Sequence, residues 1–306
     1  MRLHLLPSLL LAQVFSFTSA WPSPSGSLGK RDAEFVQVRT KLTHDHSGRK
    51  GDPNEKYFHE STFNPHYDGR FAEKTLPEED RHKHLTALLQ SYLSIMHAIG
   101  AETWLMHGSL LGWWWNRKIL PWDSDVDVQV SESSIRFLAD FYNMTVHRFK
   151  LPGINMEEGR KYMLEVNPHW SNATVEDRYN MIDARWIDTD TGLFIDITAV
   201  RKDRTAEAGG KKGYLMCKDK HRYKEDDIFP LRTSEYEGVK VKIPYAYADL
   251  LQEEYGPEAL VQKSYENHIF NSEKLEWIPI GRVRQSQLPP NIFRPPRVIV
   301  DEDAPH

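Results

Sequence analysis

Three aspartates at alternate positions, Asp123, Asp125 and Asp127, stand at the head of an apolar run made by Val126, Val128 and Val130. Alternate residues of a β-strand project to one side, so Asp125 and Asp127 share a face and the valines turn to the core on the other. Carboxylates held this way repel one another unless a cation neutralises them. Oxygen donors on a strand are suited to a hard cation. A little upstream, Trp104-Leu-Met106 reads as a short buried strand that leads through His107-Gly108-Ser109 into a helix. A helix start reached by a Gly-Ser turn presents free backbone N–H groups to a phosphate. The two halves together predict a site for a metal-bound nucleotide.

Other readings of these aspartates fall away. A calcium loop that begins Asp-x-Asp-x-Asp requires Gly at its sixth position and Glu at its twelfth, where this chain has Val128 and Ser134. A further carboxylate is expected from Leu193-Phe-Ile-Asp-Ile-Thr-Ala-Val200, an apolar strand interrupted only by Asp196. If this strand pairs beside the first, Asp196 completes the metal site or takes a proton from an incoming hydroxyl. The competing reading makes it a structural partner of Arg185 or Arg201. Asp183 is expected to form a salt bridge with a nearby Arg.

Several residues keep two readings. His107 serves a donor or metal, or is a packed, hydrogen-bonded histidine. His221, in the basic run Lys218-Asp-Lys-His-Arg-Tyr223, faces a diphosphate or acceptor, or lies on a solvated surface. The Trp113 to Trp115 cluster stacks on a sugar or base, with at least one ring in the core at helical spacing.

The periodicity predicts a helix opened by a capping box at Thr75-Leu-Pro-Glu78 and closed by Gly100, with Leu85, Leu88, Leu89, Tyr92, Met96 and Ile99 inward. Strands are expected at 126–130, 181–187 and 193–200, a helix capped by Ser131 through Tyr142, and a late helix over 245–255 stopped by Gly256-Pro257. That order implies an α/β or α+β domain, a mixed sheet flanked by helices. The N-terminal 1–20, with Arg2, an apolar run and Thr18-Ser19-Ala20, is read as a signal peptide or signal anchor. Residues 21–74 form a pro-segment with the dibasic Lys30-Arg31 and a polar, irregular arm. The domain then runs over 75–288, and 289–306 is an extended tail. Two sequons, Asn143-Met-Thr145 and Asn172-Ala-Thr174, suit passage through the secretory pathway. Cys217 is the sole cysteine, which excludes an intramolecular disulfide and a cysteine zinc site. The formal net charge of -5 includes a basic leader, so the remainder is more acidic still, and nucleic acid is not an expected partner. Nine Trp and thirteen Tyr hint at a sugar-handling surface.

The motifs His107-Gly-Ser-Leu-Leu-Gly112, Leu120-Pro-Trp-Asp-Ser-Asp-Val-Asp127 and Phe194-Ile-Asp-Ile197 resemble the LicD and fukutin-type phosphotransferase family, a branch of the polymerase-beta-like nucleotidyltransferases. The later Ile228-Phe-Pro-Leu-Arg232, Tyr236-Glu-Gly238 and Glu254-Tyr-Gly256 resemble its closing segment. Within the family, Gly112-Trp-Trp-Trp115 and Ala184-Arg-Trp-Ile-Asp188 look most like fungal mannosylphosphorylation proteins. The zinc loop of fukutin-related members has no cysteines here, which sets the chain apart from the ribitol-phosphate enzymes. The resemblance implies transfer of a phosphorylated sugar from a nucleotide-diphosphate donor, GDP-mannose for the mannosylphosphorylation branch, to a glycan hydroxyl. It assigns Mg²⁺ or Mn²⁺ to Asp125 and Asp127, with Asp123 as an outer or second-metal ligand and Asp196 as ligand or base. It gives Gly108 and Ser109 a grip on the diphosphate, through backbone N–H and hydroxyl groups, and Arg117 and Lys118 the leaving phosphate. Two alternatives stand beside it: a glycosyltransferase using an Asp-x-Asp metal site, and a non-catalytic regulator supporting a membrane-associated transferase partner.

Overall fold

The computed structural model describes residues 42–49, 51–151, 153, 154 and 157–282. The signal segment, the Lys30-Arg31 pair and the tail from 289 lie outside them. Helix α1 (Glu78–Ile99) buries Leu85, Leu88, Leu89, Tyr92 and Met96 almost completely, as its spacing requires. The expected capping box does not form. Pro77 occupies the N-cap without a side-chain hydrogen bond, and Glu78, Glu79 and Asp80 fill the first turn, where negative charge complements the exposed N–H groups. Gly100, at φ 74°, closes the helix in the left-handed conformation that glycine adopts at no steric cost.

Strand β1 (Thr103–Leu105), helix α2 (His107–Asn116), strand β2 (Asp127–Ser131) and helix α3 (Glu132–Phe141) follow. Ser131 caps α3 through its Oγ, which accepts the Ser134 N–H, as expected. Then come β3 (Thr145–Phe149), β4 (Arg160–Val166), β5 (Ala184–Asp188) and β6 (Phe194–Lys202). The sheet runs β1-β2-β6-β5-β4-β3, with β2 and β6 parallel and the other pairs antiparallel. A short helix α4 (Arg204–Ala208) leads to β7 (Tyr214–Met216), which pairs with β6, and to β8 (Arg222–Lys224). Helix α5 (Glu225–Ile228) precedes the hairpin of β9 (Arg232–Tyr236) and β10 (Val239–Ile243). Helix α6 (Tyr247–Tyr255), a 3-10 turn (Pro257–Leu260) and a small sheet of β11 (Ser264–Tyr265), β12 (His268–Asn271) and β13 (Glu276–Pro279) complete the described chain. Among the described residues no helix is long and apolar enough to cross a membrane.

The two faces of the sheet differ in chemistry. On one, Trp186 of β5 is buried and donates its indole N–H to Ser91 of α1 at 3.0 Å, tying helix to sheet. Residues of the other parity form a row across four strands: Glu165 of β4 faces Arg185 of β5, Arg185 faces Asp196 of β6, and Asp196 faces Asp127 of β2. The arm expected to be irregular is largely so, yet it is docked on this charged face. Tyr67 bridges to Leu193 and is 1% exposed, Phe71 packs with Met163, Ile187 and Phe194, and Arg70 pairs with both Asp68 and Glu165. Gly192 makes the docking possible. A Cβ there would lie 2.7 Å from both the Asp68 carbonyl oxygen and Ala72 Cβ, and its φ of 74° disfavours any side chain.

Candidate functional site

Asp127 and Asp196 begin two neighbouring parallel strands in direct register. In-register residues of adjacent strands project from the same face, so these two carboxylates rise from one side of the sheet. Asp123 and Asp125 lie in the loop that enters β2, and the strand itself starts only at Asp127. The start of α2 is bonded to that strand. Met106 N–H donates to the Asp127 carbonyl at 3.3 Å, and Asp127 N–H donates to Ser109 Oγ at 2.9 Å. The buried Ser109 hydroxyl therefore positions Asp127 from behind, and the diphosphate grip expected of it is a different role. Gly108 is where the loop and the helix meet. A methyl built on it would lie 3.5 Å from Asp123 Oδ2 and 3.5 Å from Asp127 Oδ2. Such a methyl would stand in ordinary van der Waals contact with both carboxylates.

The electrostatics are those of carboxylates short of positive charge. Burial, reinforced by the Asp125 charge, pushes the Asp127 carboxyl up to about 8 and that of Asp123 up to about 7. Burial also raises Asp196, against the opposing pull of Arg185. Arg185 Nε donates to Asp196 Oδ1 at 2.7 Å, and its other nitrogen reaches Glu60 of the arm at 3.2 Å. The guanidinium carbon lies over Phe194, 3.8 Å from the ring centre. His66, also from the arm, stands 3.3 Å from Asp125 Oδ2, and its pKa is raised chiefly by that hydrogen bond. The positive charge of Arg81 acts on Asp123 from α1. These groups offset part of the negative charge and leave a set of hard oxygen donors that fits Mg²⁺ or Mn²⁺. Among the described residues, no three of the four aspartates place oxygens within 4.8 Å of one another. As placed, no three of these carboxylates close a single coordination shell.

Not every expected contributor arrives. Arg117 and Lys118 are exposed and follow the C-terminal end of α2, about 15 Å along the helix axis from Gly108. The chain instead uses Arg117 as a left-handed cap, at φ 60°. The three tryptophans of α2 are committed to the protein: Trp113 donates to Ser234 Oγ, Trp114 to the Leu260 carbonyl and Trp115 to the Ala259 carbonyl. Asp183 pairs with Arg201 at 2.8 Å and with buried Lys218 at 3.1 Å, as expected for a structural aspartate. That removes Lys218 from the basic run, while His221 turns towards His107, with ring centres 4.7 Å apart. His107 Nδ1 lies 2.7 Å from Glu254 Oε1 of α6. Burial alone would lower the His107 pKa, but Glu254, with Asp127 and Asp219 beyond it, raises it. His66, Arg81, Glu60 and Glu254 were not legible as site residues. They come from the arm and from helices whose approach depends on tertiary packing.

Residues 100–246 match the family described as the LicD/FKTN/FKRP nucleotidyltransferase domain. These residues form a LicD-family domain. The matched stretch holds all four aspartates, Gly108 and Ser109, and ends before Glu254. Mannosyltransferase regulator 4 of Saccharomyces cerevisiae is 28% identical over 182 residues, which cover 58% of this chain and 15% of that protein. Mannosyltransferase regulator 14 of the same yeast is 26% identical over 156 residues, covering 47% of this chain and 16% of that protein. The chain thus spans only about a sixth of the length of these relatives.

Proposed function

We propose that the chain catalyses metal-dependent transfer of a phosphosugar from a nucleotide-diphosphate donor to a glycan hydroxyl, forming a phosphodiester. The observation that carries this reading is the pairing of Asp127 and Asp196 at the starts of adjacent parallel strands, with Gly108 set against Asp123 and Asp127. Asp123, Asp125 and Asp127 would hold Mg²⁺ or Mn²⁺, with Asp196 as a further ligand or as base. When bound, the cation neutralises charge that builds on phosphoryl oxygens during transfer. The protein's own groups do the rest. Ser109 and Met106 fix the backbone of Asp127, Gly108 adds no side chain beside it, and Arg185 holds Asp196 in place. A carboxylate on Asp196 accepts the proton of the attacking hydroxyl.

The names of the yeast relatives connect this domain to mannosyl transfer, so the donor proposed is GDP-mannose, with GMP leaving and mannose phosphate carried to a mannan or glycoprotein acceptor. The N-terminal apolar run and the sequons favour the secretory pathway as the setting. The same names favour a second reading, in which the domain regulates a partner mannosyltransferase without turnover of its own. Incubation of the purified chain with Mn²⁺ and, separately, GDP-mannose, CDP-ribitol and CDP-choline distinguishes them. GMP from GDP-mannose, lost in Asp125→Ala, supports transfer. GDP release points to glycosyl transfer, and silence with every donor, together with stimulation of a mannosyltransferase, favours regulation.

A further inference from the structure

Three side chains outside the aspartate row form the one set of metal-type donors among the described residues whose ligand atoms all lie within 4.8 Å: His107, His221 and Glu254. They reach this point from separate parts of the fold. His107 opens α2, His221 precedes β8, and Glu254 lies in the last turn of α6. The chain holds His107 at φ 50°, in the left-handed region that a residue with a Cβ rarely occupies. In that conformation Nδ1 stands against Glu254 Oε1 at 2.7 Å, and the opposite ring nitrogen, Nε2, lies 3.9 Å from Asp219 Oδ2. The ring of His221 packs beside it and is parallel to Tyr223 within 3°.

We propose that His107, His221 and Glu254 form a second dication site, of transition-metal type, adjoining the aspartate centre. Two imidazoles and one carboxylate are a donor set for Zn²⁺, Mn²⁺, Fe²⁺ or Co²⁺, whereas Mg²⁺ selects oxygen ligands. A ligating histidine usually has a carboxylate or carbonyl beside its second nitrogen, which fixes its orientation. Asp219 is the nearest carboxylate on that side, at 3.9 Å, an ion-pair distance and not a hydrogen bond. The site is contiguous with the first centre, because Met106, next to His107, donates its N–H to the Asp127 carbonyl. The chain would then carry two cation sites of different hardness side by side, oxygen-only at the aspartates and mixed nitrogen and oxygen at the histidines. Nothing in this inference rests on turnover, so it stands apart from the transferase reading.

The test uses the full chain stripped of metal by chelation and titrated with Co²⁺ alone, read by visible absorption. Imidazole-ligated Co²⁺ of low coordination number gives intense visible bands, and Co²⁺ in an all-oxygen site gives weak ones. The expected result is one equivalent of the intense form, retained in Asp125→Asn, retained in excess Mg²⁺, and weakened at least tenfold in affinity in His221→Gln and Glu254→Gln. Absence of the intense form, its displacement by Mg²⁺, or its survival unchanged in both variants overturns the proposal. Should either variant lose the wild-type circular dichroism, the histidine ring signals of wild type decide the matter by NMR. Diamagnetic Zn²⁺ must shift two ring systems that Mg²⁺ leaves in place, and failure to do so overturns the proposal equally.

Discussion

Arg185 and Asp196 face each other across antiparallel β5 and β6, Nε to Oδ1 at 2.7 Å, with Arg185 1% exposed and its guanidinium shared with Glu60 of the arm. This contact joins two roles that the sequence presented as alternatives for Asp196. Its carboxylate is both the partner of a buried arginine and the register neighbour of Asp127. A buried cation on one side leaves the other side free to face a metal or a hydroxyl.

Removal of that arginine strands Asp196 and Glu60 with less compensation than they have. Arg185→Met is expected to lower the stability of the metal-free chain by about 3 kcal/mol, the usual scale for breaking a buried pair from one side. Saturating Mn²⁺ should recover part of the loss, because a cation at the aspartates substitutes for some of the missing charge. Urea unfolding with and without Mn²⁺ measures both effects. An equal loss in the two conditions would separate Arg185 from the metal centre.

Gly108→Ala tests the space beside the carboxylates. The added methyl meets Asp123 Oδ2 and Asp127 Oδ2 at 3.5 Å, ordinary contact, and Gly108 is not at a positive φ. Folding stability should therefore hold or rise by a few tenths of a kcal/mol, as Ala replaces Gly within a helix. Transfer activity should fall about tenfold or more, since the methyl occupies room needed by cation or phosphate. Thermal melting beside the rate of nucleotide release gives the comparison.

His147 offers a pH test away from the metal centre. It is 6% exposed, bonded to Thr145 Oγ1 at 2.9 Å, and burial depresses its pKa to about 4 from the ordinary 6.5. The unfolded chain takes up a proton at this residue before the folded chain does. Its contribution is thus fully favourable above about pH 6.5 and is lost as the pH falls towards 4, by on the order of 3 kcal/mol. The stability of His147→Phe should show a shallower acid slope than wild type between those limits. Parallel curves would remove His147 as a source of acid sensitivity.

The legible parts of this chain were those governed by local rules. Helical spacing placed α1 and Gly100, a serine placed the start of α3, and an isolated charge in an apolar run placed Asp196. What escaped depended on partners remote in sequence. Strand β3 alternates in burial but places polar Thr145 and His147 inward, and β4 is buried nearly throughout, so neither shows an apolar alternation in sequence. The arm contains few apolar residues, so its polar character concealed His66, Glu60 and Arg70, which find their partners only against the charged face of the sheet. Arg117 and Lys118 misled for the opposite reason. Closeness in sequence to Asp123 suggested closeness in space, but α2 carries them to its far end. The Trp run likewise looked like a ligand surface and proves to anchor the segments around Ala259 and Leu260.

The central claim is that the aspartate row is a working metal centre for phosphosugar transfer. Phosphorus NMR of the purified chain incubated with GDP-mannose, Mn²⁺ and a mannan acceptor addresses it most directly. A new phosphodiester resonance should grow in step with GMP, vanish on chelation, and fall about a hundredfold or more in rate in Asp127→Asn. A phosphodiester formed at the same rate by Asp127→Asn, or no phosphodiester from a folded, Mn²⁺-loaded wild type, would contradict it.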